Sequence, residues 1–102
     1  MSQYSILNTK NTNKKTKMLL EILTPDAKVF EGEAESVVFP GILGGFEILK
    51  GHAPLISALT DGTIKVSNGG SVQEFQVKSG FVEVLNNRCT VCVEGFTDPN
   101  AN

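Results

Sequence analysis

Tryptophan is absent from this sequence of 102 residues, tyrosine and histidine occur once each, and there are only two cysteines. A single histidine leaves a catalytic triad without locally identifiable partners. Two thiols do not make a disulfide-dense scaffold, which fits a reducing compartment. No apolar run approaches the roughly 18 to 20 residues that cross a bilayer, and the N-terminus lacks the apolar segment and cleavage site of a secretory signal. Basic patches interleaved with aromatics are missing too. Residues 1 to 17 carry Lys10, Lys14, Lys15 and Lys17 with no acid, but the remainder carries five basic and eleven acidic residues. An acidic body repels phosphates, so nucleic acid is excluded as a partner.

What is present describes one small domain: 40% hydrophobic residues, 20% charged, ten glycines and four prolines. A chain this size buries roughly 60 to 70% of its unfolded surface, enough for one core. Residues 1 to 17 are rich in Asn, Thr and Lys without apolar periodicity, and read as a disordered tail. A transit peptide is the rival reading, but arginine and an amphipathic stripe are missing there. Met18, immediately before the first apolar run, is an alternative start of translation. Residues 18 to 97 form the folded domain, and 98 to 102 a polar C-terminal tail.

From Leu19 onward the dominant period is two, broken by Gly, Pro, Asn and Asp at intervals of about eight to twelve residues, which is strand spacing. Leu19–Leu23, Lys28–Glu31, Ala34–Phe39, Phe46–Leu49, Ile56–Leu59, Thr63–Ser67, Val72–Lys78, Phe81–Leu85 and Cys89–Glu94 read as strands. Pro40-Gly41 closes the third of them, and Asp61-Gly62 turns the chain between the fifth and sixth. Asn68-Gly69-Gly70 and Asn86-Asn87-Arg88 supply the positive φ angles of tight connections. No helical stripe competes. The pattern predicts an all-β fold, a flattened antiparallel β-sandwich of about ten short strands.

Four features have the outline of chemistry. Cys89 and Cys92 have the spacing of a redox pair or zinc half-site, but strand residues three apart face opposite ways, so two ordinary thiols are expected, with Cys89 in the core beside Val91 and Val93. Gly41, Gly44 and Gly45 lack the lysine-serine pair and following helix of a phosphate loop, and are read as turning residues. Glu31, Glu33 and Glu35 share one face of a strand, where solvation is favoured over an acidic docking strip. His52 is open between a turn residue and an exposed contact. No residue is assigned as catalytic, cofactor-binding or metal-binding.

The segments LEILTPDAKVFEGEAESVVFPG (20–41), ILKGHAPLISAL (48–59) and VKSGFVEVLNNRCTVCVEG (77–95) together closely resemble the N-terminal domain of F-type ATP synthase epsilon subunits. The resemblance covers Met18 to Gly95, and Gly51-His52-Ala53-Pro54-Leu55 is its most specific part. It implies a non-catalytic rotor subunit without cofactor, wedged between the gamma subunit and the polar loops of the membrane c-ring. The complex would hold it peripherally at the cytoplasmic face of a bacterial inner membrane, or at an organellar inner membrane. The implied c-ring contact comprises Leu43, Gly44, Gly45, Phe46, Glu47 and His52. The family tends to read Gly-Glu-Phe-Gly and Leu-Pro-Gly-His here; this chain reads Gly44-Gly45-Phe46-Glu47 and Leu49-Lys50-Gly51-His52. The acid usual at 45 is missing, and Glu47, on the same strand face, is expected to present the displaced charge. Family members often continue into two C-terminal helices that inhibit hydrolysis, and this chain is expected to lack that regulation. Two rival functions stand beside the rotor: a free β-sandwich binding module and a thiol redox or metal protein.

Overall fold

The computed structural model describes residues 17–100, so the expected tail lies outside the described residues except for Lys17. Eight strands follow one another: β1 (Met18–Leu23), β2 (Lys28–Ala34), β3 (Ser36–Gly41), β4 (Gly44–Leu49), β5 (Leu55–Leu59), β6 (Gly62–Asn68), β7 (Ser71–Leu85) and β8 (Arg88–Thr97). They form one continuous sheet, in the order β2-β1-β8-β7-β5-β3-β4, with β6 pairing both β3 and β7. Folded over itself, this sheet makes two layers. One holds β2, β1, β8, the second half of β7 and β5; the other holds β4, β3, β6 and the first half of β7. Every neighbour pair is antiparallel except β1 with β8. The all-β class therefore stands as read from the sequence.

The strand count falls to eight because two expected elements are one. Val72–Lys78 and Phe81–Leu85 belong to the 15-residue β7, which runs from one layer into the other. Its partner is interrupted where β7 is not: Leu59 lies opposite Gly80 and Gly62 opposite Val77, so β5 and β6 continue along β7 in a single register. Asp61-Gly62 is thus a corner, not a reversal. The inward face changes there, from Phe75 and Val77 before it to Val82 and Val84 after it. Ladder bonds lapse at the bend and a side chain substitutes, as Ser79 N–H donates to Asp61 Oδ1 at 2.9 Å.

Two further expectations shift by a residue or two. Ala34 ends β2, and the chain changes layers at Glu35 before β3 begins, so buried Ala34 and buried Val37 fall out of phase. Pro40 and Gly41 lie inside β3, where Pro40 occupies the gap between the β6 and β5 pairings. Its missing N–H costs nothing at that gap, and its carbonyl accepts Thr60 N–H at 2.8 Å. The two tight hairpins form as expected, with φ of 59° and 88° at Gly69 and Gly70 and of 51° and 61° at Asn86 and Asn87, the positive pair a type I′ turn needs.

Between the layers lie Met18, Leu20, Ile22, Val37, Phe39, Ile48, Leu59, Ile64, Val66, Phe75, Val82, Val84 and Val91, all but excluded from water. Phe75 is flanked by Phe30 and Phe96 at ring separations of 4.9 and 5.2 Å, distances at which tilted aromatic pairs attract. The corner leaves no space for a side chain at Gly80, where a Cβ would overlap the Cys92 carbonyl oxygen and the Val93 backbone. We expect Gly80→Ala to lower unfolding stability by more than about 2 kcal/mol in urea titrations, because backbone on both strands must move. The corresponding change at Gly95, where only the flexible Lys78 side chain is near, should cost less.

Candidate docking surfaces

The first surface is built by the β3–β4 hairpin. Gly41 pairs with Gly44 across a two-residue turn, and Ile42 N–H donates to Ala58 O at 3.3 Å, pinning the tip to β5. Gly41 must be glycine, since a Cβ would meet Gly44 O at 2.6 Å and the Phe46 ring at 2.8 Å. With the backbone held in this way the turn side chains have nowhere to go but outward. Leu43 is fully exposed, Ile42 and Ile56 are 62% and 71% exposed, and a shallow hollow between them is floored by Phe46, Ser57 and Ala58. Isolated exposed leucines are ordinary; three large aliphatics around one rim make a candidate contact surface.

The second surface is the outer face of the layer containing β1. Leu23, Cys92, Phe81 and Ala58 stand directly opposite one another across four strands, and Glu21, Thr90, Glu83 and Ile56 form the adjoining row. Phe81 is 47% exposed at the middle of the apolar row, beside a groove lined by Leu23, Pro25 and Cys92. A charged cluster closes the end of this face away from Phe81. Glu21 accepts from Lys28 Nζ at 3.1 Å and Arg88 Nη1 at 3.0 Å, and Lys28 also binds Glu31 at 3.0 Å. The Lys28 hydrogen bond, helped by Arg88 and outweighing partial burial, holds the Glu21 carboxyl below its ordinary range. Its contribution to stability is therefore present above the usual carboxylate pKa and is lost as pH falls through the lowered value.

The third surface is the turn from Lys50 to Pro54. Gly51 takes φ 78°, its N–H donates to Asn87 Oδ1 at 2.6 Å, and the Asn87 carbonyl accepts Leu19 N–H at 2.9 Å. One asparagine in the β7–β8 turn thus fastens this turn to the start of β1. His52 is exposed, with Nδ1 at 2.7 Å from Ala53 O.

The six residues singled out in the sequence are thereby distributed along β4. Leu43 and Gly44 are at the tip; Gly45 and Glu47 face outward; Phe46 turns inward and packs on Phe39 at 5.6 Å; His52 sits at the far end. The length of β4 separates tip from turn by about 17 Å at ordinary strand rise. Glu47 does share the outward side of position 45. Of the three alternating acids, Glu31 is taken by Lys28 and Glu35 accepts Gly69 N–H at 3.1 Å, whereas Glu33 is simply exposed. What the sequence reading missed is the Phe81 row, whose outward direction depends on the change of face at the corner.

Cys89 and Cys92 lie on opposite faces of β8. Cys89 is buried, 3.8 Å from Met18 Sδ, while Cys92 is partly exposed. Among the described residues no group of three or more His, Cys, Asp or Glu could hold a metal ion.

Residues 17–99 match the family model described as the β-sandwich domain of the ATP synthase delta/epsilon chain. The chain belongs to this family. Relatives named ATP synthase epsilon chain include that of Chlorobium limicola, 43% identical over 76 residues that cover 74% of this chain and 86% of that protein. The Gloeothece citriformis protein of the same name is 42% identical over 76 residues, covering 74% of this chain but 55% of its own length. These relatives thus differ in how much of their own length the match covers. Among solved structures, a chain of the Euglena gracilis mitochondrial ATP synthase, in its OSCP/F1/c-ring assembly, superposes with TM-score 0.78 at 15% identity, covering 85% of this chain and 57% of that one. A chain of the Tetrahymena thermophila central stalk/c-ring structure gives 0.69 at 20% identity, covering 82% and 68%. At such identities these two likenesses establish the fold.

Burial pushes the Cys89 thiol up to about 11. Native protein at pH 8 should therefore leave Cys89 unalkylated by iodoacetamide for hours while the unfolded chain reacts in minutes, as read by peptide mass spectrometry. Because the folded pKa is the higher one, stability should be unaffected below the ordinary thiol pKa and decline as pH rises from about 9 toward 11. Rapid native alkylation of Cys89 would contradict its place in the core.

Proposed function

We propose that the chain is a non-catalytic subunit of the rotor of a proton-translocating F-type ATP synthase, joining the gamma subunit to the polar loops of the c-ring and passing rotation between them. The observation that carries this reading is the pair of apolar surfaces left uncovered among the described residues of one sandwich, the Ile42-Leu43-Ile56 rim and the Phe81 row. A part that couples two neighbours needs two faces and little give between them. Here β5 runs beneath both, with Ile56 and Ala58 belonging to each. Family membership and the likeness to central-stalk and c-ring assemblies support the same reading.

Within it, the Phe81 row is assigned to gamma and the hairpin tip to the c-ring. Leu43, Gly44, Gly45 and Glu47 carry the ring contact, with Phe46 bracing the tip from inside and His52 reaching it only along the length of β4. Glycine stands where the family usually has an acid at 45, so the tip docks by burial of Leu43 and Ile42, worth about 1.5 to 3 kcal/mol for each side chain fully covered. No helix among the described residues is long and apolar enough to cross a membrane. In this reading attachment is peripheral, through the complex, at the cytoplasmic face of a bacterial inner membrane or at its organellar counterpart.

The test is a pull-down of the tagged full chain from detergent-solubilised membranes of its source, with identification of the bound subunits. Gamma and the c subunit should be recovered with the unaltered chain. Leu43→Asp should cut recovery of the c subunit about tenfold while gamma remains, and Phe81→Asp should do the reverse, with thermal midpoints within a few degrees of the parent. Recovery of neither subunit by the unaltered chain would instead support a free binding module.

A further inference from the structure

Among the described residues β2 and β4 end the strand order, each with one edge unpaired along its length, and they are guarded unequally. β2 is protected by a register irregularity at Ile22/Leu23 and by exposed Lys28, Glu31 and Glu33, devices that discourage pairing with another chain. β4, with the sequence GGFEIL, has Glu47 as its only charge. Its bonding pattern follows from its partner. Pro40 O and Ile42 N point to β5, so the odd residues of β3 face β4 and the even residues of β4 bond back to them. Gly45 and Glu47 then direct both N–H and C=O to the open edge, and Leu49 adds its N–H; the Leu49 carbonyl accepts His52 N–H at 3.1 Å.

We propose that this edge pairs with the same edge of a second copy, antiparallel about a two-fold axis through Phe46. In that register Glu47 lies opposite Gly45 of the second copy, and Gly45 opposite its Glu47. The four backbone groups on each side are all used, and each acid meets a residue without a side chain. The half-buried Phe46 rings meet at the axis, and exposed Leu49 lies level with the exposed Leu43 of the second tip. The register centred on Glu47 sets two acids directly opposite and is disfavoured. The two-fold contact uses up both open edges, so it closes at two copies and cannot propagate.

Six residues a side bury well under the roughly 1,200 Å² of a stable interface, so the dimer is weak and forms at high concentration. It covers Leu43 and is therefore exclusive with docking through the hairpin tip. The pairing itself rests on β4 alone and does not depend on the rotor assignment.

Sedimentation equilibrium of the full chain from about 10 µM to about 1 mM should show a reversible monomer–dimer equilibrium without larger species. Gly45 has an open position, its nearest neighbour to an added Cβ being Phe39 O at 3.6 Å, and it is outside the positive-φ glycines. Gly45→Glu should raise the dissociation constant about tenfold, by facing Glu47 of the other copy, and Gly45→Lys should lower it several-fold. Glu47→Pro, which removes an edge donor and no internal ladder bond, should abolish the dimer, with circular dichroism confirming the fold. A chain that stays monomeric at 1 mM overturns the proposal. So does a dimer on which the two Gly45 variants act alike.

Discussion

Everything in this domain depends on the corner at which β7 crosses from one layer to the other while its partner passes from β6 to β5. Backbone hydrogen bonding has to continue through a bend that reverses which side chains face the core, and the solution is local. Asp61 offers a carboxylate oxygen where a carbonyl would have been, and Gly80 lets β7 and β8 approach until no Cβ fits between them. Because β5 and β6 keep one register along β7, a single long hairpin ties the layers covalently and by ladder bonds at once. A sandwich held only by side-chain packing can shear between its sheets; one whose central strand crosses from layer to layer resists it.

In the proposed rotor role that continuity bears on coupling. Load entering at the hairpin tip reaches β5 through the Ile42 and Thr60 hydrogen bonds, passes to β7 over five paired residues, and arrives at the Phe81 row without crossing a loop. The far end of β4 is fastened separately, by Asn87 bridging the Lys50–Pro54 turn and β1. In consequence the most recognisable stretch of the sequence, Gly51 to Leu55, owes part of its character to an internal tie: Gly51 needs its positive φ so that its amide can reach Asn87.

The sequence made the period-two strands and the turn chemistry legible because both are local properties. Alternating apolar residues name a buried face, and Gly69-Gly70 and Asn86-Asn87 name the only turn that accepts their φ angles. The opposed faces of Cys89 and Cys92 follow from the same period. The corner was not legible, since Asp61-Gly62 has the composition of a reversal and only the pairing with β7 shows that the chain runs straight on. The extra expected strand came from dividing β7 at Ser79-Gly80, where the same corner bends it, and the unread corner left the direction of Phe81 open. A period of two says that Phe81 and Val82 face opposite ways; which of them faces the core is decided by the crossing. The division of the candidate contact residues between the tip and the far end of β4 was hidden for a similar reason, because closeness in sequence along an extended strand is distance in space.

The resemblance implies an acid at position 45, and the geometry of β4 makes the consequence of glycine there specific. Gly45 and Glu47 share the outward side of β4, so moving the acid two residues on shifts its charge by roughly 7 Å along the strand, away from the tip. What remains at the tip is Leu43 without a charge beside it. An ionic contact weakens as salt is added, whereas burial of aliphatic surface does not, so a tip of this composition trades sensitivity to ionic strength for dependence on shape. The same exchange takes negative charge away from the end of the β4 edge and leaves the open position into which Glu47 of a second copy fits. Glycine at 45 thus bears on both the proposed chemistry of the tip and the proposed self-complementarity of the edge beside it.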